Sequence, residues 1–416
     1  MGSIKIEGGH SLFGEVKVQG SKNAALPIMA ATLLNGGISI LKNFPEIEDV
    51  RQMQRLLESI GCRIVVEDDE MIIDSQPAKD TMLPVSMTGK IRASSVLLGP
   101  MLARFHHVKM AQPGGCRIGS RPLDIHMNVF KAFGASWELS EDYIEVSCVR
   151  LHPAQIRLAK KSVGATENAV MVASMIKGKS RISNAAMEPE ITTLCEYLRN
   201  TGVRIQMDDC DTITVEGGTC SHATIEIPGD RIVAGTYMGA VTACGGKVTI
   251  SGMRLAECRG FLNVFTGMGM ELSAKGTDCC TVCMNGRPSS VNYVQTAPYP
   301  DFPTDMQSIV MACAAQADGD TMIVEKIFDH RLMVAEQLNK MGADISVEKE
   351  CALVKGVRRL KGSTVCAEDL RGAAALVIAG MAADGITRIE HYEYLNRGYA
   401  QICEILNRLG ANIHVE

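Results

Sequence analysis

Aromatic residues make up only 4% of the sequence, and Trp137 is its single tryptophan. A surface that holds nucleic acid by stacking bases needs more platforms than that. Positive charge is not in excess either: 42 Lys and Arg stand against 47 Asp and Glu, for a formal net charge of −5. That balance argues against nucleic acid or an anionic membrane as partner. No run of about 18 apolar residues is present to span a bilayer. The opening Met1-Gly2-Ser3-Ile4-Lys5-Ile6 has no apolar signal core, so a soluble, cytoplasmic protein is expected. The 15 cysteines form no paired framework; they are scattered, mostly in apolar runs such as Met311-Ala312-Cys313-Ala314, as in a reducing compartment. The phosphate loop GxxxxGK[ST], a GxGxxG after a strand and the metal motif HExxH are all missing. His126 follows Asp124 by two residues, but no GxSxG elbow completes a hydrolase triad. ATP-driven, dehydrogenase and serine-hydrolase chemistry therefore lack support.

Cys280 and Cys283 have the spacing of a metal pair, with Cys279 just before them, yet no second pair or suitably spaced histidines follow. The segment reads as a strand, which points Cys280 and Cys283 to opposite faces. No metal and no cofactor are expected.

What the chain does contain is a repeat. Six times a helix-like stretch ends in an apolar residue, a glycine and the start of a strand, at Gly61, Gly134, Gly202, Gly269, Gly342 and Gly410. The spacing of roughly 70 residues is that of a repeat architecture. The helices before these glycines are amphipathic, with Val50, Met53, Leu56 and Leu57 on one face in the first. Each glycine suits a left-handed turn closing its helix. A second, more apolar helix recurs, expected over 23–34, 92–102, 164–176, 232–244, 304–315 and 371–382. Helices apolar all round are buried ones, and their Ala, Gly and Ser content allows close packing. The fold class is α/β, with small-residue helices inside and sheets and amphipathic helices outside. A chain of 416 residues exceeds what one core usually serves. Six units then make two domains of three, with a boundary near Pro228-Gly229-Asp230. Residues before Ser21 lack a buried helix of their own, so the first domain is expected over 22–229 and the second over 1–21 with 230–416.

The chemistry gathers at particular places. In Gly114-Gly115-Cys116-Arg117-Ile118-Gly119-Ser120-Arg121, a cysteine sits on a glycine-rich turn between two arginines. Such surroundings favour thiolate and make the sulfur reactive. The apolar helices begin with residues their interiors lack: Lys22-Asn23, Arg92, Lys161-Ser162, Asp305 and Arg371. Convergent helix starts, with their dipoles and unpaired N–H groups, make an anion site, and lysine and arginine there bind phosphate and carboxylate. The alternative is a set of solvated helix ends. Asp305 is the acid among basic starts, either satisfying backbone N–H groups or acting as a general base. Arg397 precedes the last amphipathic helix beside Gly398, and Arg331 holds the corresponding place one unit earlier, where capping alone would also explain it.

Taken in order, Gly20-Ser21-Lys22-Asn23-Ala24-Ala25, Ile91-Arg92-Ala93-Ser94, the Cys116 segment through Arg121-Pro122-Leu123-Asp124-Ile125-His126, Ser162-Val163-Gly164-Ala165-Thr166, Phe302-Pro303-Thr304-Asp305-Met306-Gln307, Asp369-Leu370-Arg371 and Arg397-Gly398-Tyr399 span nearly the whole chain. With them the sequence resembles the UDP-N-acetylglucosamine 1-carboxyvinyltransferases, members of the EPSP synthase-like family. The resemblance implies two inside-out α/β barrels with the active site in the cleft between them. It implies transfer of enolpyruvyl from phosphoenolpyruvate to the 3-hydroxyl of UDP-N-acetylglucosamine by addition and elimination, the first committed step of peptidoglycan synthesis. It further implies that Lys22, Arg121 and Arg397 hold phosphoenolpyruvate, with Arg371 near its carboxylate and Asn23 at the reacting centre. Asp305 would take the hydroxyl proton, and Cys116 would be the general acid and the target of fosfomycin. Arg92, Arg121, Pro122, Leu123, Asp124, Ile125, Ser162, Val163, Gly164 and Ile327 would contact the nucleotide sugar; Arg331 is counted among the binding residues from its place in the repeat alone. Tyr299 stands where the family pattern has a histidine. Two other readings remain: EPSP synthase itself, against which the Cys116 segment and its Arg-Pro-Leu-Asp-Ile-His continuation argue, and a nucleotide-sugar-binding regulator without turnover.

Overall fold

The computed structural model describes residues 2–88, 92–112 and 123–416, with only the backbone of 92 and 93. Those residues fall into two compact units, one made of 2–19 and 229–416, the other of 20–112 and 123–228.

In the first unit three four-stranded sheets are formed. One runs Thr364–Cys366, Ile386–Glu390, Ser3–Glu7, Asn412–Val415; the next runs Glu271–Ala274, Cys279–Met284, Gly246–Ser251, Leu12–Lys17. The third runs Tyr293–Gln295, Asp320–Val324, Cys351–Lys355, Asp344–Glu348. The amino-terminal segment thus supplies a strand to each of two sheets: Ser3–Glu7 pairs antiparallel with both neighbours, and Leu12–Lys17 pairs parallel with Gly246–Ser251. The helices Arg231–Cys244, Gln307–Ala314 and Leu370–Ala382 pack against one another, buried over nearly their whole lengths. Small residues make that contact possible. A Cβ at Gly239 would stand 2.5 Å from Ile309 Cγ2, and Cys313 Sγ donates to the Gly239 carbonyl at 3.3 Å. Adding a methyl there would overpack the helices at about 1–3 kcal/mol. The helices Arg259–Gly267, Val334–Lys340 and Ile402–Arg408 bury only one face.

The second unit repeats the plan with two four-stranded sheets and one of three strands. Ile38–Lys42 lies between Ala223–Glu226 and Glu70–Asp74, with Arg63–Glu67 beyond. Gly178–Ser183 lies between Gln155–Arg157 and Thr212–Gly217, with Arg204–Asp208 beyond. His107–Ala111, Tyr143–Ser147 and Ser136–Leu139 form the third. Its buried helices are Lys22–Ala31, Leu98–Phe105 and Val163–Met175, and its amphipathic ones Glu48–Ser59, Asp124–Ala132 and Pro189–Asn200. All six glycines at the repeat period close these amphipathic helices and their counterparts as their chemistry predicts, with φ between 85° and 109°.

Three of the buried helices differ from expectation at their ends. Residues 32–35 form the 3₁₀ turn Thr32–Asn35, Thr304–Met306 is another, and Arg92–Leu97 is 3₁₀ before the α-helix Leu98–Phe105 begins. Pro100 explains the last shift, because it lacks an N–H and fits the first turn of a helix but not its interior. Cys279–Met284 is a strand, as its sequence predicts, with Cys280 fully buried on one face and Cys283 on the other. Among the described residues no helix is long and apolar enough to cross a membrane.

Among the described residues the chain passes between the units at two glycines. A Cβ on Gly20 would stand 1.7 Å from the Asn43 carbonyl oxygen, and one on Gly229 would stand 1.9 Å from that of Gly252. Asn43 and Gly252 each follow directly on a strand of a sheet or the turn after it, Ile38–Lys42 and Gly246–Ser251. Beside these glycines the Ser21 N–H donates to the Pro228 carbonyl and the Asp230 N–H to that of Gln19, both at 2.8 Å.

Candidate active site

Four of the buried helices start under a side-chain cap that a Ser or Asp provides. Ser21 Oγ accepts from the Ala24 N–H at 3.3 Å, and Ser162 Oγ from Ala165 at 3.4 Å. Asp230 Oδ1 accepts from Ile232 and Val233, and Asp369 Oδ1 from Arg371 and Gly372. Such caps are worth about 1 kcal/mol each. They also fix the first turns on which the sequence places its candidate residues.

In the first unit three candidates meet, Asp305, Arg331 and Arg371. Asp305 lies in the turn Thr304–Met306 and makes no capping bond there. Its Oδ2 instead meets Nη2 of Arg371 at 3.3 Å, and its Oδ1 is paired with Arg331. The arginine side chains are 5% and 3% exposed, so neither is a solvated helix end. Burial alone would raise the Asp305 carboxyl, but Arg371 and then Arg331 outweigh it and hold the acid well below the ordinary carboxylate range. Burial likewise lowers the Arg371 guanidinium, and Asp305 foremost, then Tyr399 and Asp230, reverse this and push it above its usual value. Arg371 Nη1 also donates to the Tyr399 hydroxyl at 3.1 Å, which is bonded to Thr236 Oγ1 at 2.9 Å. Phe328 lies against Arg331, its ring centre 5.5 Å from the guanidinium carbon. Ile327, just before it, is an exposed apolar side chain. Arg397 ends the 3₁₀ segment Tyr392–Arg397 and is half-buried. Gln19 holds the residues after it, donating to the Gly398 carbonyl at 3.2 Å and accepting from the Ala400 N–H at 2.7 Å. Tyr299, where a histidine was expected, lies against Arg231 at 5.8 Å.

The second unit holds the other set. Lys22 opens the helix Lys22–Ala31, with Asn23 next to it, and its Nζ pairs with Asp49 Oδ2 at 2.6 Å. The two side chains are 12% and 3% exposed. Ser162, Val163 and Gly164 form the start of the helix Val163–Met175, half-buried. A Cβ on Gly164 would come 3.0 Å from Nε2 of His126. That close approach sets the first turn of this helix beside the one that carries Asp124 and Ile125. Leu123 precedes this neighbour helix, Asp124 opens it as an exposed acid, and Ile125 is core at 6% exposure. Asn168 ties in a third element: its Nδ2 donates to the Ser95 and Gly164 carbonyls and its Oδ1 accepts from the Gly99 N–H. Ser95 belongs to the turn that Arg92 begins. The Arg92 side chain, Cys116, Arg121 and Pro122 lie outside the described residues.

Sequence reasoning did not single out Asp49, Asn168, Gln19 or Glu325. Asp49 carried a readable signal, since it shares a helix face with Met53 and Leu56 at i+4 and i+7, where an acid is out of place unless paired. The partners of Gln19 lie nearly 400 residues along the chain, and no local pattern announces them.

This arrangement can bind anions and move a proton. Cations fixed at helix starts neutralise phosphate or carboxylate, and a carboxylate bracketed by arginines is ionised and available to accept a proton from a hydroxyl. Among the described residues no group of three His, Cys, Asp or Glu is placed to hold a metal ion.

The family profile of EPSP synthase (3-phosphoshikimate 1-carboxyvinyltransferase) matches residues 6–406. The chain belongs to the EPSP synthase family. Within it, the sequence is 40% identical over 414 residues to UDP-N-acetylglucosamine 1-carboxyvinyltransferase 2 of Caldanaerobacter subterraneus subsp. tengcongensis, covering 99% of both chains. It is 41% identical over 417 residues to UDP-N-acetylglucosamine 1-carboxyvinyltransferase of Trichlorobacter lovleyi, again covering 99% of both. Solved structures share the mixed α/β fold of the EPSP synthase family at lower identity. The enolpyruvyl transferase NikO from Streptomyces tendae superimposes with a TM-score of 0.89 at 22% identity, covering 100% of this chain and 99% of the other. EPSP synthase from Acinetobacter baumannii superimposes with a TM-score of 0.75 at 18% identity, covering 100% of both chains.

Proposed function

We propose that this protein transfers the enolpyruvyl group of phosphoenolpyruvate to the 3-hydroxyl of UDP-N-acetylglucosamine, releasing phosphate, and so serves peptidoglycan synthesis in the cytoplasm. The observation that carries the reading is Asp305 held ionised between two buried arginines at a helix start. Identity of 38–41% to named UDP-N-acetylglucosamine transferases along the whole chain supports the acceptor. The 18% identity to EPSP synthase structures gives the shikimate reading less support. In our reading the two units are inside-out barrels, 22–229 and 1–21 with 230–416. The three mutually packed helices and three sheets of the first unit support that description.

The chemistry follows from the groups. The sugar hydroxyl oxygen bonds to C2 of phosphoenolpyruvate while its proton passes to Asp305 and a proton from Cys116 goes to C3. The Cys116 thiolate then takes a proton back from C3, restoring the double bond as the C2–O bond to phosphate breaks, and the proton held by Asp305 leaves with the phosphate. Lys22, Arg121 and Arg397 stabilise the charge on the phosphate, and Arg371 binds the carboxylate. Before substrate arrives, Arg371 and Arg331 make Asp305 a weak base. A donor carboxylate that draws Arg371 away raises the basicity of Asp305 when the hydroxyl is in place. Arg92, Arg121, Pro122, Leu123, Asp124, Ile125, Ser162, Val163, Gly164 and Ile327 hold the acceptor in this scheme, with Asn23 at the reacting centre.

The test is phosphate release with phosphoenolpyruvate and either acceptor. Release with UDP-N-acetylglucosamine and none with shikimate 3-phosphate is expected. Release only with shikimate 3-phosphate would replace the reading, and binding of the nucleotide sugar without release would reduce the protein to a regulator.

A further inference from the structure

Glu325 is a buried carboxylate, 3% exposed, with no ion-pair partner among the described residues. It follows the strand Asp320–Val324, and its oxygens accept four hydrogen bonds. Oε1 accepts from the Thr296 hydroxyl at 2.9 Å and from the Ile327 and Phe328 N–H groups at 2.7 and 3.1 Å. Oε2 accepts from the Thr304 hydroxyl at 2.8 Å. The Thr296 hydroxyl in turn accepts from the Lys326 N–H at 2.8 Å. A buried carboxylate is tolerated only when its lone pairs are met in this way, and packing alone has no need of a charge here.

Three of these four donors adjoin the candidate machinery. Thr304 immediately precedes Asp305. Ile327 is the exposed apolar residue assigned to the acceptor, and Phe328 lies against Arg331, whose N–H donates to the Phe328 carbonyl at 3.4 Å. We infer that Glu325 is a positioning residue for the transfer: one carboxylate clasps the turn of the base Asp305 to the segment 327–331 that carries its arginine partner. The inference rests on the proposed role of Asp305. Holding base and acceptor contacts from one point fixes their separation, and a shift of about 1 Å in such a geometry can cost on the order of 100-fold in rate.

Because Glu325→Ala removes all four bonds and could unfold the region, Thr304→Val decides the question. Valine keeps the shape of threonine, loses only the bond beside Asp305, and leaves the rest of the clasp in place. Turnover is measured as phosphate release per folded active site, with folding checked by circular dichroism and the KM of both substrates determined. Thr304→Val should lower kcat by roughly tenfold with the KM for phosphoenolpyruvate near that of the parent. Thr304→Ser should recover most of kcat. Glu325→Gln, which can still accept from the two N–H groups and donate to Thr304, should stay closer to the parent than Thr304→Val. Parent-like kcat in Thr304→Val, or a loss that Thr304→Ser does not recover, overturns the inference alone. A parent protein that releases no phosphate overturns the functional reading, and the inference with it.

Discussion

One guanidinium nitrogen of Arg371 reaches the Asp305 carboxylate at 3.3 Å, and this contact decides the protonation of the acid at every working pH. A carboxyl depressed in the folded state adds stability above its unfolded pKa and loses it as pH falls through the lower folded value. Between pH 5 and 9 Asp305 is therefore ionised and its contribution constant. Asp305→Asn should destabilise the protein by about 3–5 kcal/mol, since it leaves two buried guanidinium groups without their counter-ion. Its turnover should fall by about 10²–10⁴-fold, the worth of a general base. The pH profile of kcat/KM should show no acidic limb from this residue above about pH 4, where free Asp titrates. Near-normal turnover in Asp305→Asn would reduce the acid to a structural partner of its arginines.

Lys22 presents a second pairing with a different expectation. Asp49 is the more buried partner, and removing its charge leaves the ammonium in a half-closed site. Asp49→Asn should raise the KM for phosphoenolpyruvate more than it lowers kcat, because the cation is kept but no longer aimed. Lys22→Ala should abolish turnover while leaving the fold intact by circular dichroism. Equal effects of Asp49→Asn on both kinetic constants would argue that Asp49 does not orient the lysine.

The thiols separate into silent and reactive. Burial pushes Cys62, Cys195 and Cys258 up to about 12 and Cys280 and Cys403 up to about 11, so all five are protonated and slow at neutral pH. Cys210 is exposed and serves as comparator. Cys116, between Arg117 and Arg121, should be alkylated first by iodoacetamide or fosfomycin in peptide mass mapping. Cys116→Asp should keep activity and escape the epoxide, whereas Cys116→Ser should lose most turnover. Labelling of Cys210 ahead of Cys116 would count against an activated thiol.

Glu167 predicts a pH dependence of the opposite sign. Burial first, then Glu190 and Glu188, raise its carboxyl from 4.5 to about 8. An acid raised in the folded state gives stability that is full below its unfolded value and declines as pH rises towards the folded one. Thermal unfolding should therefore show a falling midpoint between pH 5 and 8, and Glu167→Gln should flatten that slope and gain most at pH 8–9. An unchanged slope in the variant would mean the loss comes from other groups.

Much of the frame was legible because it is local. The period of Gly61 to Gly410 follows from a torsion that only glycine adopts readily, and the buried helices from their lack of a polar face. Lys22, Asp305 and Arg371 could be found because charge at the start of an apolar helix is conspicuous. That Arg331 and Arg371 share one carboxylate could not, since the three residues come from different elements and no spacing encodes their meeting. Glu325 is the extreme case: it looks like any acid after a strand, and only the fold places Thr296 and Thr304 around it. Boundaries slipped where 3₁₀ turns replaced α-helix, as before Pro100, because propensity does not say which hydrogen-bond pattern a short turn takes.

Gly20 and Gly229 extend the same reasoning to inheritance. Every missense change of a glycine codon installs a Cβ, and at these two codons that atom would fall inside the van der Waals radius of a carbonyl oxygen, at 1.7 and 1.9 Å. No amino acid is a mild replacement there, alanine included. In a saturation library selected for enolpyruvyl transfer, both codons should survive only through synonymous change, whereas Gly218, with open space around it and no left-handed backbone, should accept alanine more readily.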